Sequence, residues 1–347
     1  MTANLPKTIR ITAENAGGHL QGIAIDRERK YIYCSFTTCL VKADLDGNIV
    51  GSVTGLAGHL GCIAYNYQNG RVYGSLEFKH DEIGHGILDK IGYKNDLTDG
   101  FYIVSFDCDR ITELDMDAEK GGVMTAVFLK EVYDDYSANG HRYGCSGIDG
   151  VTFAPDIGSE EEKQYLFVAY GIYRDNARTD NDNQIILKYD ITDWSKFEAP
   201  LDQLNMHRNG PAAPDSKYFL HTGNTTYGIQ NLEYDDFSDS IVAAVYKGDK
   251  KNYVNYSTFF ISRATPPARK IPIGLDKEQD VIFLTDFKGE VSYETPVGSH
   301  FDLGSTGIIS LSVGDFYIAD SIRENGIHSG IIELYRFDKS ELNFKKI

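Results

Sequence analysis

The chain has 347 residues, with 34 Lys and Arg against 51 Asp and Glu, a formal net charge of −17. That length exceeds what one conventional core fills and calls for two domains or one built from repeats, while 41% hydrophobic and 24% charged residues exclude a disordered chain. The acidic balance excludes a nucleic-acid or anionic-membrane surface, which needs clustered Lys and Arg, and leaves a small molecule or an oligosaccharide as the expected partner.

The N-terminal Met1–Lys7 segment leads into an alternating Thr8-Ile-Arg-Ile-Thr12 rather than an apolar leader, and no run of 18 apolar residues occurs. The five Cys, at 34, 39, 62, 108 and 145, are odd in number and confined to the first half, which is no disulfide framework. Reduced thiols and a cytoplasmic location are expected; a leader already removed would make the protein secreted instead.

After the orphan strand at 8–12, a four-strand unit is predicted at Gly22–Asp26, Tyr31–Phe36, Leu40–Asp44 and Ile49–Val53, its β-branched and aromatic runs separated by Asp, Gly and Asn turns. First strands recur at 62–66, 150–153, 229–234 and 308–313, second strands at 71–76, 165–170, 241–246 and 316–320, and third strands at 101–106, 184–189, 258–262 and 330–335. Five units follow. The last runs out of chain after its third strand, so the orphan strand is expected to complete it and close a ring without open edges. The fold class is all-β, a five-bladed β-propeller forming one domain over 1–347. A sixth blade is the alternative, because 193–217 and 263–299 are left unassigned.

The stretch His19-Leu-Gln-Gly-Ile-Ala-Ile-Asp26, with Lys30-Tyr-Ile-Tyr33 and Leu40-Val-Lys-Ala-Asp-Leu-Asp-Gly-Asn48, resembles the broad propeller superfamily that includes the YVTN and SMP-30/gluconolactonase-like proteins. The resemblance implies architecture over about one blade and carries no catalytic residue with it.

In a propeller the connections leading into first strands share a face with the loops between second and third strands, and here both are long. The turns on the opposite face, such as Asp26–Lys30 and Asn66–Gly70, are short. Each of the five connections leading into a first strand holds a histidine: His19, His59, His141, His221 and His300. Converging imidazoles suit Zn²⁺, Mn²⁺ or Fe²⁺, or act as acid and base near neutral pH without a metal. Hydrogen bonding between blades is the bland role for each of them. The loop from Glu77 to Gly100 is long enough to form a lid. Arg174, Lys247 and Arg323 follow second strands and are expected to attract an anionic substrate, with Tyr170, Tyr173 and Tyr227 nearby for stacking. The alternative for each cation is an ion pair with Asp175, Asp249 or Glu324.

These groups point to an enzyme acting on a carbohydrate or sugar acid. A lyase would use His141, His221 or Tyr173 as acid or base, and a hydrolase would use the carboxylates Glu77 and Asp149. The competing class is a non-catalytic propeller that binds a small ligand or a protein.

Overall fold

The computed structural model describes residues 5–14, 16–95 and 97–347. The predicted runs alternate branched and aromatic side chains between turn residues, and they form five sheets in chain order, antiparallel except where a short outer strand joins blade 1 and another joins blade 3 in parallel. Blade 1 comprises Leu20–Ile25, Tyr31–Phe36, Cys39–Asp44 and Ile49–Thr54. Blade 2 comprises His59–Asn66, Arg71–Phe78, Gly100–Asp107 and Met124–Phe128, and blade 3 Cys145–Pro155, Gln164–Ile172, Asn183–Tyr189 and Ser216–His221. Blade 4 is built on Thr225–Asp235, Ser240–Lys247, Thr258–Ser262 and Leu284–Thr285, and blade 5 on Ile308–Ser310, Asp315–Glu324 and Ile327–Asp338.

The first strand of every blade lies innermost, and each packs against the next around the ring, so the five together enclose an axis. The ring closes as the sequence predicts. Thr8–Ala13 pairs antiparallel with Ile327–Asp338, from Thr8 opposite Glu333 to Ala13 opposite His328, and becomes the outer strand of blade 5. Its burial alternates strictly, with Ile9, Ile11 and Ala13 inward, against a core that includes Leu20, Ile32, Tyr317 and Ile332.

No sixth blade is present among the described residues. The segment 193–217 supplies a 3₁₀ turn at Trp194–Lys196 and the start of the last strand of blade 3. From 263–299, the short strands Ala268–Lys270 and Gln279–Val281 extend blade 3, the latter in parallel, while Leu284–Thr285 and Val291–Ser292 finish blade 4. These pieces carry too few residues to have shown a period of two.

Two helices break the all-β pattern. One, α1 (Glu82–Ile91), lies in the long loop of blade 2, where the Asp81 side chain accepts a hydrogen bond from the Gly84 N–H and Gly92 ends the helix at φ 68°. The other, α2 (Lys130–Ser137), precedes blade 3. Neither is long and apolar enough to cross a membrane.

All five Cys are buried and unpaired, and burial pushes Cys39 and Cys62 up to about 12. We expect thiol reagent to react slowly with native protein and to count five thiols after denaturation without reductant; fewer would contradict this arrangement. Replacing Ile11 with Ala should cost roughly 2–5 kcal/mol, the range for a fully buried aliphatic truncation. The Arg10→Ala change, which removes only the exposed ion pair to Glu324, should cost less than about 1 kcal/mol. Thermal melts of the two variants test whether the closing strand is held by its buried face.

Candidate functional site

First strands run from the face with long connections toward the face with short turns. Near their starts, four of the five slip in register against their second strands: at Leu20/Gly22, at Leu60/Ile63, at Cys145/Gly147 and Ile148/Val151, and at Thr226/Ile229 and Ile229/Asn231. Such bulges re-aim side chains and commonly border sites. At the bulges of blades 2 and 3, four ionisable groups meet below the surface.

Lys79 Nζ lies 2.6 Å from Glu77 Oε1 and 3.6 Å from Asp81 Oδ2, and it donates to the Ser146 carbonyl at 2.9 Å. Glu77 Oε2 accepts from the Ile148 N–H at 3.0 Å. His59 Nδ1 is 3.5 Å from Glu77 Oε1, beyond a good hydrogen bond but within ion-pair range. Asp149 Oδ1 accepts from the Cys62 N–H at 3.3 Å. Two glycines make room for these acids: a Cβ on Gly61 would stand 2.3 Å from Asp149 Oδ1, and one on Gly147 (φ 129°) 1.9 Å from Glu77 Oε2.

The four groups are tuned apart. Burial pushes Asp149 up, His59 opposes, Glu77 adds to the rise, and its carboxyl sits at about 7. Burial works against a charged His59, but Glu77 and Asp149 outweigh it and hold the imidazole above its ordinary value. For Glu77 burial is outweighed by Lys79 and His59, so it stays below the usual carboxylate range. A carboxyl near neutrality beside a histidine favouring its cation is the pattern of an acid–base pair.

The network continues outward. Tyr173 donates to Asp81 Oδ2 at 2.6 Å, and the His141 ring lies 5.1 Å from Tyr173 and 4.7 Å from Tyr136. Toward the axis, Tyr246 faces Asp149; burial first and Asp149 next raise its hydroxyl to about 12, and Tyr227 stands nearby at φ 65°. Helix α1 and the segment after it cover the network, with Ile87 and Leu88 of the helix and Leu97 beyond it lining the same pocket as His59, Glu77 and Lys79. The loop expected to form a lid lies there.

Partial enclosure of His19, together with like-signed His59, His328 and Lys90, lowers its pKa to about 4. Arg323 acts in the same sense on His328. Lys90 and Arg323 therefore supply the positive potential at the edge of the network, and the two histidines beside them are held toward the neutral imidazole.

Of the sequence-predicted residues, the structure gathers Glu77, Asp149, His59, Tyr173 and His141 into one connected chain and brings His19 to its edge. The convergence of five histidines is not observed. His221 ends the fourth strand of blade 3, where it contacts the Tyr293 carbonyl and the Tyr253 hydroxyl, each at 3.2 Å. His300 follows Ser299, which pairs with Thr258 on the third strand of blade 4, and its ring lies 5.0 Å from Tyr256. Long connections place these two away from the inner strands. Among the described residues no group of three or more His, Cys, Asp or Glu is arranged to hold a metal ion.

Several substrate-binding expectations are also corrected. Tyr170 is fully buried and donates to Asp135 Oδ2 at 2.9 Å, so it serves the core. Arg174 pairs with Asp249, and Lys247 lies 3.5 Å from Asp302, so both are occupied at the surface. Arg323 follows no second strand: it lies within Asp315–Glu324, paired across the hairpin with His328. Its turn is Asn325-Gly326, with φ of 52° and 87°, the backbone that Asn-Gly favours. Glu324, its expected partner, pairs with Arg10 instead. Sequence reading missed Lys79, Asp81 and His328. The first two were signalled by Glu77-x-Lys79-x-Asp81, a period of two at a strand end that turns three charges to one side.

No protein-family model matches the chain, and no curated protein matches it. Among solved structures, a protein described as a presumptive gluconolactonase is similar over 99% of this chain and 95% of its own, at 11% identity and a TM-score of 0.34. The holo PQQ domain of pyranose dehydrogenase from Coprinopsis cinerea is similar over 90% of this chain and 81% of its own, at 11% identity and a TM-score of 0.38.

A carboxyl at about 7 in the folded protein, against an ordinary value of 3.8, binds its proton more tightly when folded. Its contribution is complete below about pH 4 and is lost as pH rises through 7. We expect the Asp149→Asn protein to gain on the native one by a few kcal/mol between about pH 4 and 7. Melting curves of both across that window check this; a constant difference would place Asp149 among ordinary carboxylates.

Proposed function

We propose that this propeller is an acid–base enzyme acting on a small anionic, hydroxylated substrate of the sugar-acid kind, as a lyase or a hydrolase. The observation that supports it most is Asp149, a buried carboxyl at about 7, set against His59 and Glu77 beneath a rim whose cations are Lys90 and Arg323.

In the lyase form, the rim cations draw the substrate carboxylate over His59 and lower the energy of the enolate that forms next to it. Ionised Asp149 takes the proton from the carbon beside that carboxylate. The freed electron pair makes the carbon–carbon double bond, the carbon–oxygen bond beyond it breaks, and the departing oxygen takes a proton from the His59 imidazolium. In the hydrolase form, Asp149 removes a proton from water while His59 protonates the leaving oxygen. Glu77 and Lys79 are positioning residues: Glu77 keeps His59 toward its cation and Lys79 keeps Glu77 ionised.

The enclosure of this network favours a second reading. With Lys79 and Glu77 side chains only 4% and 5% exposed, the charges would serve solely to fasten blade 2 to blade 3 in a non-catalytic, ligand-binding propeller.

Incubation with uronate-containing oligosaccharides, aldonic acids and their lactones separates the two, following unsaturated product by ultraviolet absorbance and hydrolysis by product analysis. Turnover should fall about 10²–10⁴-fold in Asp149→Asn and His59→Gln proteins that still melt cooperatively. The rate should show one limb near pH 7 that disappears in Asp149→Asn. Undiminished turnover in both variants would remove the acid–base assignment, and no turnover on any of these substrates would leave the binding propeller as the better reading.

A further inference from the structure

A second cavity lies at the other end of the axis. It measures about 430 Å³ and is lined by the far ends of all five first strands and their turns, including Ile25, Ala64, Thr152, Glu233 and Ile309. That volume falls within the range of small-molecule sites. Sequence reasoning set this face aside because its turns are short, but short turns also leave the funnel between the five inner strands uncovered.

We infer that this funnel is a binding site for a small organic cation, which seats its ammonium against the Glu233 carboxylate and its apolar part against Tyr65, Tyr67 and Phe153. Glu233 Oε1 accepts one hydrogen bond, from the Ser310 N–H at 2.8 Å, and no ion pair to it is present among the described residues. Burial first, then Asp235 and Asp236, push its carboxyl up to about 8 against the opposing Ser310 N–H. Asp26 is satisfied by the N–H groups of Lys30 and Tyr31. Arg29 is drawn across to the Leu311 carbonyl at 2.6 Å, and Arg27 is exposed at the rim. The place beside Glu233 is therefore one of negative field without its counterion. Two tyrosine rings 5.2 Å apart, Tyr65 edge-on to Tyr67, supply the π faces that attract alkylammonium groups.

This site is independent of the acid–base network and has its own test. Benzyltrimethylammonium, benzyl alcohol and benzoate share a ring and differ in charge, and their binding to the whole chain can be measured by isothermal titration calorimetry. The cation should bind at least tenfold tighter than either of the others. Its affinity should climb about tenfold per pH unit below 8 and level off above, with a proton released on binding at pH 7, since the cation selects the ionised carboxyl. That titration takes place among Asp26, Arg27, Arg29, Tyr67, Asp235 and Asp236, which face the funnel or flank Glu233. The Glu233→Gln protein, which keeps an acceptor for Ser310, should lose at least tenfold in cation affinity and all of the proton release. Equal binding of the three probes, preference for benzoate at the arginines, or no cation binding at millimolar concentration would each overturn the assignment, whatever the Glu233→Gln protein does.

Discussion

Everything that can be called a site depends on one backbone pairing, that of Thr8–Ala13 with Ile327–Asp338. Without it blade 5 would keep an open edge, and the inner strands of blades 5 and 1 would lose the covalent reason to stay adjacent. The pairing joins chain segments more than 300 residues apart, so its closure entropy is large; it is offset by the inward Ile9, Ile11 and Ala13 rather than by the exposed Arg10–Glu324 pair. Once the ring is shut, two mouths exist, and the direction of the first strands decides which residues reach each.

The two mouths solve opposite electrostatic problems. On the face with long connections, a protein of net charge −17 buries a lysine and a histidine against two acids and keeps further cations at the rim. The charges are mutually compensated, so the displaced property is the Asp149 proton. On the face with short turns, Glu233 is enclosed among like-signed neighbours and stays uncompensated. Burying a carboxylate without a partner is costly, and in the absence of a cation the funnel meets that cost by holding the carboxyl neutral.

Bulges connect the fold to this chemistry. A regular antiparallel first strand would send alternate side chains to its two faces. The register slips at Leu60/Ile63 and Ile148/Val151 break that alternation where His59 and Asp149 are needed, and Gly61 and Gly147 remove the Cβ atoms that would collide with the two acids. The same slips in blades 1 and 4 mark the inner strand starts as the place where the repeat departs from ideal geometry.

The sequence by itself favoured five blades over six and determined the place of nearly every inner and middle strand and the strand that closes the ring. Those features rest on local alternation and turn chemistry, which each segment carries alone: Tyr31–Phe36 was read with the limits it has. It also marked Glu77, Asp149, Tyr173 and His59, though it grouped His59 with four other histidines by their shared place in the repeat. Only the tertiary structure decided which of those meet, because a connection's length does not say whether its histidine ends an outer strand, as His221 does, or opens an inner one, as His59 does. The raised carboxyls of Asp149 and Glu233 were likewise beyond the sequence, since a pKa is set by burial and by neighbours from other blades, and those exist only after the ring has closed.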